Sequence, residues 1–174
     1  MSDDQPPAIL AGHIGARLAA HVGQLAADLG CSFGAINTDT GYRAGLCLDT
    51  ASRRITGTFG ENGDGVYVYL AVLHEFGHVA LGHASAARGS VASEIAAWKW
   101  AATVALARPS CDARTCIAWD LAGYIAPGQV VDVRDRDLDD GFHLPGCPEA
   151  EAVAAAEIAQ LWPDDAGSDT VGRG

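Results

Sequence analysis

The sequence predicts a single α+β domain in which a central helix is flanked by a small antiparallel sheet and three or four supporting helices. Three observations lead to it. Residues 66–84 are apolar almost all round, as suits a helix buried in the middle of a domain. Two short β-like runs precede that stretch, and helical patterns stand on either side of it. The chain has 174 residues, the size of one domain, and no internal repeat or linker divides it. The domain is expected over residues 1–162, followed by a disordered acidic tail over 163–174.

Each element has its own signal. Over residues 9–29, Ile9, Ile14, Leu18, Val22, Leu25 and Leu29 recur near the 3.6 period, so one helix is predicted, stopped by Gly30. Residues 45–48 and 54–59 read as strands, joined through Asp49-Thr50-Ala51-Ser52 into a hairpin. Residues 61–65 are loop material. The central helix follows, although its opening Val66-Tyr67-Val68-Tyr69 fits a strand equally well by periodicity. A third helix is predicted over 91–107, stopped before Pro109, and a fourth over 115–125, ended by Pro127-Gly128. A short strand at 129–133, a charged loop at 134–141 and an Ala-rich helix at 148–162 complete the chain.

Composition narrows the function. The hydrophobic fraction is 49% and the charged fraction 19%, a globular balance. Acidic residues outnumber basic ones 22 to 11, giving a net charge of −11. Direct nucleic-acid binding is therefore not expected, and a neutral or basic partner is. No stretch approaches the ~20 apolar residues that span a bilayer. The acidic start lacks the basic n-region of a signal peptide, so a cytoplasmic location is expected. Five cysteines without a CxxC pair are expected to be mostly reduced thiols there, with Cys31–Cys47 or Cys111–Cys116 bridges as the minor alternative.

The chemistry lies in His74-Glu75-Phe76-Gly77-His78. Residues four apart on a helix share a face, so both imidazoles can reach one Zn2+ at ~2.0–2.1 Å. Glu75, beside the first of them, can act as general base towards a water at the metal's open position. Two histidines and a glutamate inside an apolar helix are otherwise expensive to bury, and a metal compensates for them directly. With this helix at its centre, the domain is read as a small zincin.

A third protein ligand is needed. His83 follows His78 by five residues, which on a continuing helix puts it about 140° round from the ligand face, whereas a helix that stops early would let it bend back. Ala84 and Leu81 stand where a metzincin carries a third His and a Gly, so that class is excluded. Glu94 is the better candidate. It falls about one turn into the next helix, at a height comparable with His78 if the two helices pack side by side. Gly82 is expected to let the returning backbone come close.

The stretch from His74 to His83, followed by Glu94-Ile95-Ala96-Ala97-Trp98-Lys99-Trp100-Ala101, resembles the ImmA/IrrE family of small zinc metallopeptidases. That family pairs a HELGH-type helix with a second helix beginning E-x-E-A-N-x-F-A and ending near a Pro. Glu94 falls on the first acid, Ala97 on the Ala, Trp100 on the aromatic and Ala101 on the final Ala. Ala96 replaces the second acid, Trp98 replaces the Asn, and Pro109 comes about two residues late. The resemblance spans residues 66–109. It implies a metallopeptidase whose substrate is a helix-turn-helix repressor, that is, a basic DNA-binding regulator.

Other residues are weaker candidates. Tyr67, Tyr69, Tyr124 and His143 each have a group that can donate to an oxyanion, but their spacing puts none over the metal. One at least of Trp98 and Trp100 is expected in the ordinary core, and His13 and His21 on the surface or a helix face. Cys111, Cys116 and Cys147 have no recognisable metal-site spacing. The sequence thus predicts peptide hydrolysis at a zinc held by His74, His78 and Glu94, with Glu75 moving the proton. A non-proteolytic zinc-stabilised binding module and a zinc hydrolase of small molecules are the alternatives.

Overall fold

The computed structural model describes residues 5–83, 90–126 and 148–163. The fold is mixed α+β. Helices α1 (Ala8–Ile14) and α2 (Ala16–Leu29) lead into strands β1 (Ser32–Asp39), β2 (Ala44–Asp49) and β3 (Arg54–Gly60). Helices α3 (Gly65–Ala80), α4 (Val91–Val104), α5 (Cys111–Ile125) and α6 (Pro148–Leu161) follow. The strand expected at 129–133, the charged loop at 134–141, His143, Cys147 and the tail from 164 lie outside the described residues.

Three sequence expectations are corrected. The single first helix is two, because Gly15 sits at φ 83° and ψ 154°, which interrupts the helical ladder. Gly30, at φ 64°, does cap α2 as expected. The sheet is mixed rather than antiparallel: its order is β1-β3-β2, with β2 antiparallel and β1 parallel to β3. Strand β1 escapes a reading by alternation because its register with β3 shifts between Phe33 and Ile36. The two buried apolar residues of the strand are then three apart instead of two. Finally, α4 ends at Val104, short of residue 107, and α5 begins at Cys111, where Ser110 accepts the Ala113 amide at 3.0 Å.

Helix α3 organises the molecule. Asp64 caps it, accepting the Val66 amide at 2.8 Å, so the Val-Tyr-Val-Tyr segment is helical. Every residue from Tyr67 to His78 is buried, and α3 packs against α1, α2, α4, α5 and the sheet strands β2 and β3. Such complete enclosure explains an apolar run with little sidedness.

The two tyrosines near the start of α3 place their hydroxyls against polar partners rather than over the histidines. Tyr67 donates to Asp120 Oδ2 at 2.7 Å, and Asp120 also pairs with Arg43. The Tyr69 hydroxyl accepts the Leu106 amide at 2.9 Å and meets His21 Nδ1 at 2.8 Å. His21 is thus a half-buried structural partner, and the half-buried ring of His13 packs on Phe59 at 4.7 Å. Cys31, Cys47, Cys111 and Cys116 are all free thiols. Among the described residues no helix is long and apolar enough to cross a membrane.

Candidate metal centre

His74 and His78 project from the same face of α3, as their spacing requires. Their Nε2 atoms lie 3.2 Å apart, with the rings nearly perpendicular at 88°. Glu94, in the first turn of α4, brings Oε2 to 3.0 Å from His74 Nε2 and 3.4 Å from His78 Nε2. The three residues are 7%, 1% and 2% exposed. Among the described residues they are the one group of three or more His, Cys, Asp or Glu close enough to share a metal ion.

Glu94 reaches this position because α3 and α4 almost touch. A Cβ on Gly77 would stand 2.8 Å from the Ala97 carbonyl oxygen and 3.0 Å from its Cα. The close approach therefore belongs to Gly77, inside the His-Glu-Phe-Gly-His run, and not to Gly82 as the sequence suggested. Ser90 starts α4 by accepting the Ser93 amide at 3.1 Å, which sets where the helical turn bearing Glu94 begins. Burial would raise the Glu94 pKa, but the adjacent His74 and His78 imidazoles outweigh it and hold the carboxyl far below its ordinary range. It is a carboxylate facing two imidazole nitrogens, a donor set suited to a metal ion.

Glu75 is turned towards the sheet. Its Oε2 accepts the Leu48 amide of β2 at 3.0 Å, and the residue is 6% exposed. The β2 edge meets α3 a second time where the Ala44 amide reaches the Tyr67 hydroxyl at 3.3 Å. Four strand residues span about 13 Å and eight helical residues about 12 Å, so strand and helix stay in step between these two bonds.

Two residues beside the histidines were given no part in the site by the sequence. Trp98 stacks on His74, with centroids 4.4 Å apart and planes at 30°. His83 was expected away from the ligand face, but the helix does not continue to it. Gly82 adopts φ 65°, its amide bonds the Val79 carbonyl at 3.0 Å, and the His83 amide bonds the His78 carbonyl at 2.9 Å. This pair of bonds is the Schellman motif, and it curls the chain back over the last turn. His83 Nδ1 then sits 2.9 Å from His78 Nδ1. Burial, and next the His78 charge, lower the His83 pKa. A Gly soon after a helical apolar run was the available signal for that turn.

A cavity of about 560 Å3 opens elsewhere, between the loop before α3 and the start of α5, lined by Tyr42, Asn62, Asp64, Asp112 and Trp119. It does not include the histidines. No protein-family model, curated protein or solved structure matches this chain.

Proposed function

We propose that the protein is a zinc-dependent metallopeptidase in which His74, His78 and Glu94 hold the ion and Glu75 is the general base. The observation that carries this reading is the buried convergence of His74 and His78 from α3 with Glu94 from α4, Glu75 being the next residue after His74. Their separations of 3.2, 3.0 and 3.4 Å are near the roughly 3.3–3.4 Å between tetrahedral ligands each ~2.0–2.1 Å from zinc. Three protein donors leave one position for water or substrate, as in catalytic sites, whereas structural zinc sites use four. Zinc bound there would polarise a carbonyl and lower the pKa of water towards about 7. Glu75 takes the proton from the attacking water and returns it to the leaving amine. Its bond to the Leu48 amide orients the carboxylate from the strand side.

The substrate proposed is an exposed loop or locally unfolded segment of a basic DNA-binding regulator such as a helix-turn-helix repressor. The net charge of −11 supports such a partner, as does the resemblance of the two helical motifs to the ImmA/IrrE pattern.

Burial favours a second reading, a non-proteolytic protein-binding module stabilised by zinc. Glu75 is 6% exposed, and its bond to Leu48 gives that acid a structural task of its own. One experiment separates the readings. Zinc-loaded wild type and Glu75→Gln are incubated with a basic helix-turn-helix regulator from the same locus, and new peptide ends are sought by mass spectrometry. A peptidase produces ends with wild type and none with Glu75→Gln, which keeps its zinc and melting temperature. Equal cleavage by both would sink the general-base role. Zinc retention without any new ends supports the binding module, and turnover of small amides or esters alone supports a small-molecule hydrolase. Glu94→Ala should lose most of the zinc; full occupancy in it would remove Glu94 from the site.

A further inference from the structure

We propose that His83 is a positioning residue for His78, accepting a hydrogen bond from its Nδ1 and so presenting the His78 Nε2 lone pair to the metal. This rests on reading the centre as a metal site and adds to it how one ligand is held. The two Nδ1 atoms are 2.9 Å apart, with ring centroids 5.1 Å apart and planes at 61°. Between two such nitrogens one carries the proton and the other accepts it. His78 Nε2 faces Glu94 and His74 and must keep its lone pair to bind a cation. Its proton is then on Nδ1, so His78 donates and His83 accepts, with the His83 proton on its own Nε2.

The backbone fixes this arrangement. The His83 amide bonds the carbonyl of His78 itself at 2.9 Å, so the residue whose ring is oriented also anchors the residue that orients it. Gly82, at φ 65°, makes that turn possible. The other histidine is held differently. His74 Nδ1 is buried with no hydrogen-bond partner among the described residues, and its ring lies flat against Trp98. One ligand is therefore oriented by a hydrogen bond and the other by stacking. The hydrogen-bonded one should respond to loss of an acceptor.

Outer partners of ligating histidines typically affect metal affinity by about 10–100-fold. Zinc affinity of the full chain is measured by competition with a chromophoric chelator for wild type, His83→Phe and His83→Asn. Phe keeps a ring without an acceptor, whereas the Asn side-chain oxygen can occupy the place of Nδ1. The expected result is a loss of roughly 10–100-fold in His83→Phe and recovery to within a few-fold of wild type in His83→Asn. Long-range 15N–1H spectra of the zinc-loaded protein should show the His78 proton on Nδ1. That proton should be protected from water exchange in wild type and His83→Asn, and exchanging freely in His83→Phe. Wild-type affinity in His83→Phe would overturn the inference while leaving the metal site intact. Failure of wild type itself to bind zinc would overturn both. Should His83→Phe not fold, His83→Ala compared with His83→Asn makes the same test.

Discussion

The thiol of Cys116 shows how strongly one side chain depends on its surroundings. It lies half-buried on α5, and burial first, then the negative charge of Asp120, pushes its pKa up to about 11. Near pH 8 only about one molecule in a thousand then carries the thiolate that reacts with alkylating agents. Cys31 is 3% exposed, and its pKa is also raised by burial. Cys47 and Cys111 are exposed. Among the described cysteines, brief iodoacetamide treatment near pH 8 should therefore label Cys47 and Cys111 first. Cys31 and Cys116 should react more slowly, and peptide mass spectrometry reads the order. Labelling of Cys116 as fast as Cys47 would contradict its placement. Partial burial beside Asp120, on the wall of the cavity of about 560 Å3, makes Cys116 a slow thiol in the native fold.

At the scale of elements, the contact between α3 and α4 decides whether a metal centre exists. Gly77→Ala adds a Cβ that would meet the Ala97 backbone at 2.8–3.2 Å, where no flexible side chain can yield. Overpacking of this kind costs about 1–3 kcal/mol, set against the ~1 kcal/mol that Ala gains over Gly within a helix. A lower melting temperature and weaker zinc binding are expected together, because moving α4 carries Glu94 away from the imidazoles. Gly12→Ala is the control: nothing lies within 4 Å of a Cβ there, so stability should hold or rise. Wild-type stability and zinc affinity in Gly77→Ala would show that the helices have room to spare. This contact also marks the limit of the sequence reading. The spacing of His74 and His78 and the helical height of Glu94 were readable because each follows from the geometry of one element. So was the β2–β3 hairpin. Which glycine admits the second helix depends on how two elements cross, and Gly82 lay closer in sequence to the returning chain. His83 was misplaced because 100° per residue applies only until the left-handed residue. Strand β1 was missed because its parallel partner, β3, is the far strand of the hairpin and its register shift spoils the alternation.

For the whole molecule, charge and metal act on different events. A chain at −11 should meet a basic regulator faster at low ionic strength and let go of it as salt rises. Salt-independent affinity for such a regulator, or tight binding of bare DNA, would contradict that expectation. A metal bound at the proposed site would act on folding instead. Its donors come from α3, which touches both the sheet and the helices, and from α4, so the site is assembled only when these elements are packed. An ion that binds the folded chain alone adds RT ln(1 + [L]/Kd) to stability, about 4 kcal/mol at a free concentration 1,000 times Kd. For a domain of 174 residues, at about 2–4 °C per kcal/mol, that corresponds to roughly 8–16 °C in melting temperature. Calorimetry of zinc-loaded wild type should show a fall of that order after chelation, reversed when zinc is restored. Glu94→Ala should already melt near the chelated temperature and respond little to chelator, since its two histidines lack the third donor. A melting temperature indifferent to chelation in protein shown to contain zinc would mean that the ion is bound outside the α3–α4 junction.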